Sequence, residues 1–157
     1  MLPLITDRTQ EDVNRVIYLR AKCWQDMTEE EQAEWSTELK GAYNASDLNR
    51  VEDAVRYLAE ELRKMGYPIH LVLHGEWTKE NTPNSEDLKR YFENVAKIRA
   101  LLPAVYTSTP EVPGDDLSEF NYEKANDLEE ILLDIEEIMG KIAASWFYLG
   151  DIYLAEV

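Results

Sequence analysis

A chain of 157 residues is about one domain's worth, long enough to bury roughly 70% of the surface that its unfolded form exposes. With 45% hydrophobic and 31% charged residues it has the composition of a folded protein, not of a disordered one. Its net charge of -16 argues against direct binding to nucleic-acid phosphates or to anionic membranes.

The single cysteine, Cys23, excludes an internal disulfide and a zinc site of the usual cysteine kind. It is expected to be a small buried hydrophobe. Residues 1–7 carry no basic segment and no long apolar run, so no signal peptide is expected. No stretch approaches the ~18 apolar residues of a membrane span. The simplest setting is synthesis and folding in a reducing compartment.

In chain order, Thr9 is a candidate cap for a first helix reaching about Asp26, with Val13, Val16, Ile17 and Trp24 on one face. Thr28 with Glu31 is a capping box for a short second helix to about Trp35. Gly41, Asn44 and Ser46 mark a loop. The third helix is predicted over 47–65, with Leu48, Val51, Val55, Leu58, Leu62 and Met65 at alternating steps of three and four. Gly66 follows as a stop signal and Pro68 forbids continuation. Residues 69–73 read as extended, at most one short strand.

Ser85 caps the predicted fourth helix, which turns Leu88, Tyr91, Phe92, Val95, Ile98 and Leu102 inward and stops before Pro103. Residues 104–120 contain Pro110, Pro113 and Gly114 and read as a long loop. The last helix is predicted from Tyr122 to Leu149, roughly 42 Å long. Leu128, Ile131, Ile135, Ile138, Ile142, Ser145 and Leu149 form a heptad seam that Leu132, Met139 and Trp146 widen into a bundle-packing face. Gly150 is expected to end it, leaving 151–157 as a tail. The expected fold is therefore all-α: one helical domain over 1–157, a bundle of four main helices plus one short helix.

Four helices open alike, at Asp12-Val13, Asp47-Leu48, Asp87-Leu88 and Asp127-Leu128. The last three openings are 40 residues apart. Duplication of a helix unit would explain this. So would convergence, because a first-turn Asp suits the helix dipole and an Arg three residues on can pair with it.

No catalytic, cofactor or metal residues stand out. His70 and His74 are spaced HxxxH, but in an extended run they would lie about 13 Å apart, too far to share one ion. A carboxylate di-iron site needs Glu-x-x-His pairs on facing helices, and neither His falls on a predicted helix. No nucleophile elbow, phosphate loop or dinucleotide fingerprint occurs. The chain is expected not to be an enzyme and to need no cofactor.

Contact is the better expectation. Residues 142–149 are apolar around the whole helix, so they are either wrapped by their own fold or covered by another chain. The candidate interface is Ile142, Trp146, Phe147, Tyr148 and Leu149, with Ile152, Tyr153 and Leu154 beyond Gly150. Between Asp115 and Glu137 ten acids face a single base, Lys124. That stretch is either a solvated helix face or a surface for a basic partner, including mimicry of DNA.

Several motifs together resemble small proteins encoded in prophages of Firmicutes. They are Leu4-Ile5-Thr6-Asp7-Arg8-Thr9 leading into Asp12-Val13; Trp35; and Lys40-Gly41-Ala42-Tyr43-Asn44-Ala45 leading into Asp47-Leu48-Asn49-Arg50-Val51. The likeness continues through Trp77-Thr78, Arg90-Tyr91 with Asn94-Val95, Ala125-Asn126-Asp127-Leu128 with Ile131-Leu132-Leu133-Asp134, and Ala144-Ser145-Trp146-Phe147-Tyr148 with Gly150-Asp151. It spans nearly the whole chain and departs from the pattern at His70 to His74. The resemblance implies a virion structural protein, tail or baseplate associated, made in the bacterial host cytoplasm and then held in the particle. Its partners would be other virion proteins or further copies of itself in a homo-oligomer, with no nucleic acid or membrane contacted directly. It transfers no catalytic residue. The alternative is a free acidic interaction or inhibitor protein, such as a phage DNA mimic.

Overall fold

Helix α1 spans Gln10–Arg20. The Thr9 hydroxyl accepts from the Asp12 N–H, and the Asp12 carboxylate accepts from the Thr9 N–H. The computed structural model describes residues 2–81, 83–102, 109–114 and 120–154, with side chains as far as Ser145. The expected extension of α1 to Asp26 does not occur. The Ala21 and Lys22 N–H groups close the last turn on Ile17 and Leu19, Cys23 is extended, and Trp24–Asp26 form one separate 3-10 turn. Gln32, on the next helix, donates its amide to the Trp24 and Met27 carbonyls, which supplies partners that a longer α1 would have claimed.

The early stop rotates the predicted inward face. Leu19 is fully buried, whereas Ile17 is 59% and Trp24 52% exposed. Cys23 is exposed, against the expectation of burial, because it sits in the connection and not on a packed helix face. Helix α2, Glu29–Trp35, opens on the predicted Thr28–Glu31 box.

Helix α3 runs over Ala45–Lys64, two residues earlier than the predicted start. Asn44 sits at its cap and donates its N–H to the Asp47 carboxylate. Leu48, Val51, Val55, Leu58 and Leu62 are all buried, as their spacing predicts. Gly66 ends the helix with φ 89°, a left-handed turn that suits glycine, and the Tyr67 N–H bonds back to Leu62. Residues 69–73 form no strand, because no sheet edge lies alongside to accept one. Side chains take the exposed carbonyls instead: Arg63 binds that of Ile69, and Arg90 and Asn94 bind that of Val72.

Helix α4 is Ser85–Leu101, with Asn84 and not Ser85 as its cap. Helix α5 is Tyr122–Leu154. It runs straight through Gly150, where a stop was expected. An interior glycine costs a helix only about 1 kcal/mol, no proline follows, and the described residues after it show no positive φ. At 33 residues it is about 50 Å long.

The fold is all-α, and the described residues contain no strand. Helices α3, α4 and α5 pack against one another in all three pairings. Their shared core contains Val51, Leu58 and Leu62 from α3, Val95 and Ile98 from α4, and Leu128, Ile131, Leu132 and Ile135 from α5. Each such side chain contributes roughly 1.5–3 kcal/mol on burial. Ile69 and Trp77 add to this core from the α3–α4 linker. The bundle thus has three helices at its centre, with the α1–α2 hairpin attached outside.

The repeated openings have a local cause. Asp12, Asp47 and Asp87 each occupy the third helical position and bond back to the cap N–H. Asp127 lies a turn farther in and pairs with Lys124. The basic residues do not share a role either. Arg15 pairs with Glu34, Arg50 with Asp47 and Glu129, and Arg90 with Glu52. Capping chemistry accounts for three of the four openings.

Candidate functional site

Among the described side chains of α5, Met139 is the last buried one, and Ile142, the first member of the predicted contact surface, is partly buried against the core. The other members of that surface, Trp146, Phe147, Tyr148, Leu149, Ile152, Tyr153 and Leu154, lie on a backbone that is helical throughout, with side chains outside the described residues. Ser145, expected in the seam, is exposed and bonds to the Ile142 carbonyl.

A second constellation was not anticipated from the sequence. Residues 2–9 form an extended strap across the bundle, and α5 side chains hold its backbone. Glu136 accepts from the Leu2 N–H at 2.9 Å, Glu129 from the Ile5 N–H at 2.7 Å, and Asn126 from the Arg8 N–H at 3.1 Å. Asn126 also donates to the Arg8 carbonyl at 2.9 Å. Positions 126, 129 and 136 are three and seven residues apart, so they share one face of α5.

That strap delivers Arg8 into the interior. Its Nη2 lies 2.8 Å from Asp47 Oδ1 and 2.6 Å from Glu129 Oε1. Arg50 reaches the same two acids, with 3.0 and 2.9 Å contacts to Glu129 and a short contact to Asp47. Glu129 is 0% exposed, Arg8 4% and Asp47 5%. Two cations and two anions therefore form a neutral set, three of them buried and Arg50 half-buried at its edge.

Burial opposes charge on Arg8 and Arg50, but their hydrogen bonds to Glu129 and Asp47 outweigh it and hold both guanidinium groups above their ordinary values. Tyr43 lies against Arg8, and its hydroxyl meets that of Tyr91 at 2.6 Å. Burial raises both phenols, Tyr91 strongly. Both arginines and both phenols are thereby held in their protonated forms.

The sequence did hold a signal for it. Glu129 falls between Leu128 and the pair Ile131-Leu132, on the packed side of its helix. A charge at such a position needs a buried partner. Its partners are Arg8 and Arg50, which Asp47 shares. Gly41 makes a further long-range contact. A Cβ there would lie 2.1 Å from the Asp12 carbonyl oxygen, so only glycine lets the 36–44 loop touch the first turn of α1. Lys40 beside it pairs with Asp7 at 2.8 Å.

A groove of about 570 Å³ lies between α2, the start of α3 and the α3–α4 linker. Trp35, Tyr43, Leu48, Leu88 and Phe120 line it, and among the described residues its charged lining is Glu38 and Lys79. His70 is exposed, and His74 stacks on Trp77 with ring centroids 3.7 Å apart. Among the described residues no three His, Cys, Asp or Glu side chains are placed to hold a metal ion, and no helix is long and apolar enough to cross a membrane.

Comparison with protein-family models, with curated proteins and with solved structures finds no match to this chain.

Proposed function

We propose that this chain is a structural protein of a bacteriophage particle, tail or baseplate associated, that works by protein–protein contact and performs no catalysis. One observation carries the reading. Arg8, Gly41, Asp47, Arg50 and Asn126, all from the motifs that resemble prophage proteins, meet at one buried clamp and one close backbone approach. Their role is to hold a strap, a loop and three helices in register. The resemblance thus concerns architecture, which suits a particle component.

The partners under this reading are further copies of the chain or other virion proteins, bound without direct contact to nucleic acid or membrane. The C-terminal end of α5 is the proposed contact surface: Ile142, Trp146, Phe147, Tyr148, Leu149, Ile152, Tyr153 and Leu154. A closed symmetric oligomer is the common outcome for such surfaces. Under the inhibitor alternative, acids must line a continuous exposed face. Two of the ten acids are withdrawn from such a face: Glu129 is buried between two arginines, and Glu136 is tied to the strap.

The decisive test is mass spectrometry of purified particles from the source strain. The chain should be present at a fixed stoichiometry to the tail proteins. Its presence in the induced lysate together with absence from intact particles would overturn the proposal.

A further inference from the structure

The α3–α4 linker differs from the rest of the packed interior in how it is held. Among the described residues, no backbone–backbone hydrogen bond secures 68–77. Side chains do that work: Arg90 and Asn94 each donate to the Val72 carbonyl at 2.8 Å, Glu52 accepts from the His74 N–H at 3.3 Å, and Asn49 brackets the Trp77 backbone with two bonds. Trp77 and Ile69 insert into the core, at 3% and 7% exposure, while Val72 between them is 66% exposed.

Beneath this segment several polar groups are left over. Arg90 Nη2, Asn94 Oδ1 and Trp77 Nε1 are buried with no hydrogen-bond partner. So is Glu52 Oε1, which lies 2.9 Å from Arg90 Nη1 but without hydrogen-bond geometry. Four of the five such atoms in the described residues therefore belong to this one contact, two donors and two acceptors. Buried polar atoms left unpaired cost stability, and water repays that cost wherever it can enter. The closed linker concentrates that cost; the fifth such atom, Arg8 Nε, lies in the clamp against α5.

We propose that residues 69–77 act as a plug that lifts from α3 and α4 as a unit while the three-helix bundle stays folded. Lifting withdraws Trp77 and Ile69 from the core and releases the Val72 carbonyl. It also gives Arg90, Asn94, Glu52 and the Trp77 indole to water. The surface uncovered between α3 and α4 has an apolar floor with donors and acceptors at its edge. That is the chemistry that receives a single aromatic side chain, and in the closed state Trp77 itself fills it.

Native-state hydrogen exchange on the full chain tests this, read by NMR at the Trp77 indole and at the backbone amides of Ile131 and Ile135. The indole should exchange at least about tenfold faster than those amides after correction for intrinsic rates, with a rate that rises only weakly with urea. Equal protection at all three sites, or a Trp77 rate with the steep urea dependence of whole-chain unfolding, would overturn the proposal.

Discussion

The bundle of α3, α4 and α5 and the hairpin of α1 and α2 are both helical and both rich in ion pairs, yet they are held by different means. In the bundle, side chains at three- and four-residue steps disappear into one continuous core, and the ion pairs that count are buried with them. In the hairpin only Leu19, Met27 and Glu31 are buried, and Arg15–Glu34 lies near the surface. The same pairing chemistry therefore has different weight. Where water is excluded, losing one partner strands the other, and where water is present it fills the gap.

The largest expected effect comes from stranding charge in the bundle. Glu129→Ala leaves Arg8 and Arg50 to share Asp47 in the interior and releases the Ile5 N–H. A loss of about 3–5 kcal/mol is expected, measured by urea denaturation followed by circular dichroism. Arg15→Ala, which breaks the hairpin's exposed pair, should move the same midpoint very little. Similar losses from the two variants would erase the distinction between the regions.

Gly41→Ala probes the joint where hairpin and bundle meet. The added methyl collides with the backbone of Asp12 and Val13, which cannot rotate away as a side chain would. The loop or α1 must shift, at a cost of about 1–3 kcal/mol. The loss should appear in hairpin amides, with the α5 core chemical shifts unchanged.

Acid separates the regions next. The carboxylates held below their ordinary values are Asp7, Asp12, Glu31 and Glu34, all in the strap and hairpin. Glu31 is brought to about 2 by the Lys22 ammonium and the Thr28 N–H. A depressed carboxylate stabilises the fold fully above its unfolded value, near 4.5 here, and that contribution is lost as pH falls toward 2. Between those limits α1 and α2 should lose exchange protection before α5 does. Simultaneous loss would mean that the two regions unfold as one.

The bundle was legible because its signal is periodic. Val51, Leu58, Ile98, Ile131 and Ile135 announce their burial by spacing alone, and Thr28 with Glu31 announces a helix start by local chemistry. The hairpin was misread because its periodicity is weak and its helix stops early. Ile17 and Trp24 fit one face only if α1 continues, and the Gln32 bonds that help stop it come from another helix. The clamp was missed for a related reason. Arg8 and Glu129 are 121 positions apart, so nothing local links them. Gly150 misled because a helix interior tolerates glycine at modest cost.

The smallest stability effect should fall where contact with a partner is most exposed to test. Ile17 is 59% exposed on the outer side of α1, with Tyr18 47% and Trp24 52% exposed along the same hairpin. Ile17→Lys removes no buried contact, so stability should stay within about 0.5 kcal/mol of the parent. A charge placed there does matter if the hairpin lies against another subunit, because it would have to be desolvated on assembly. Under the proposed function, incorporation of the variant into particles, compared with the parent in the same lysate, reads that directly. Normal incorporation would exclude the hairpin from the contact surface, and selective loss with unchanged stability would include it.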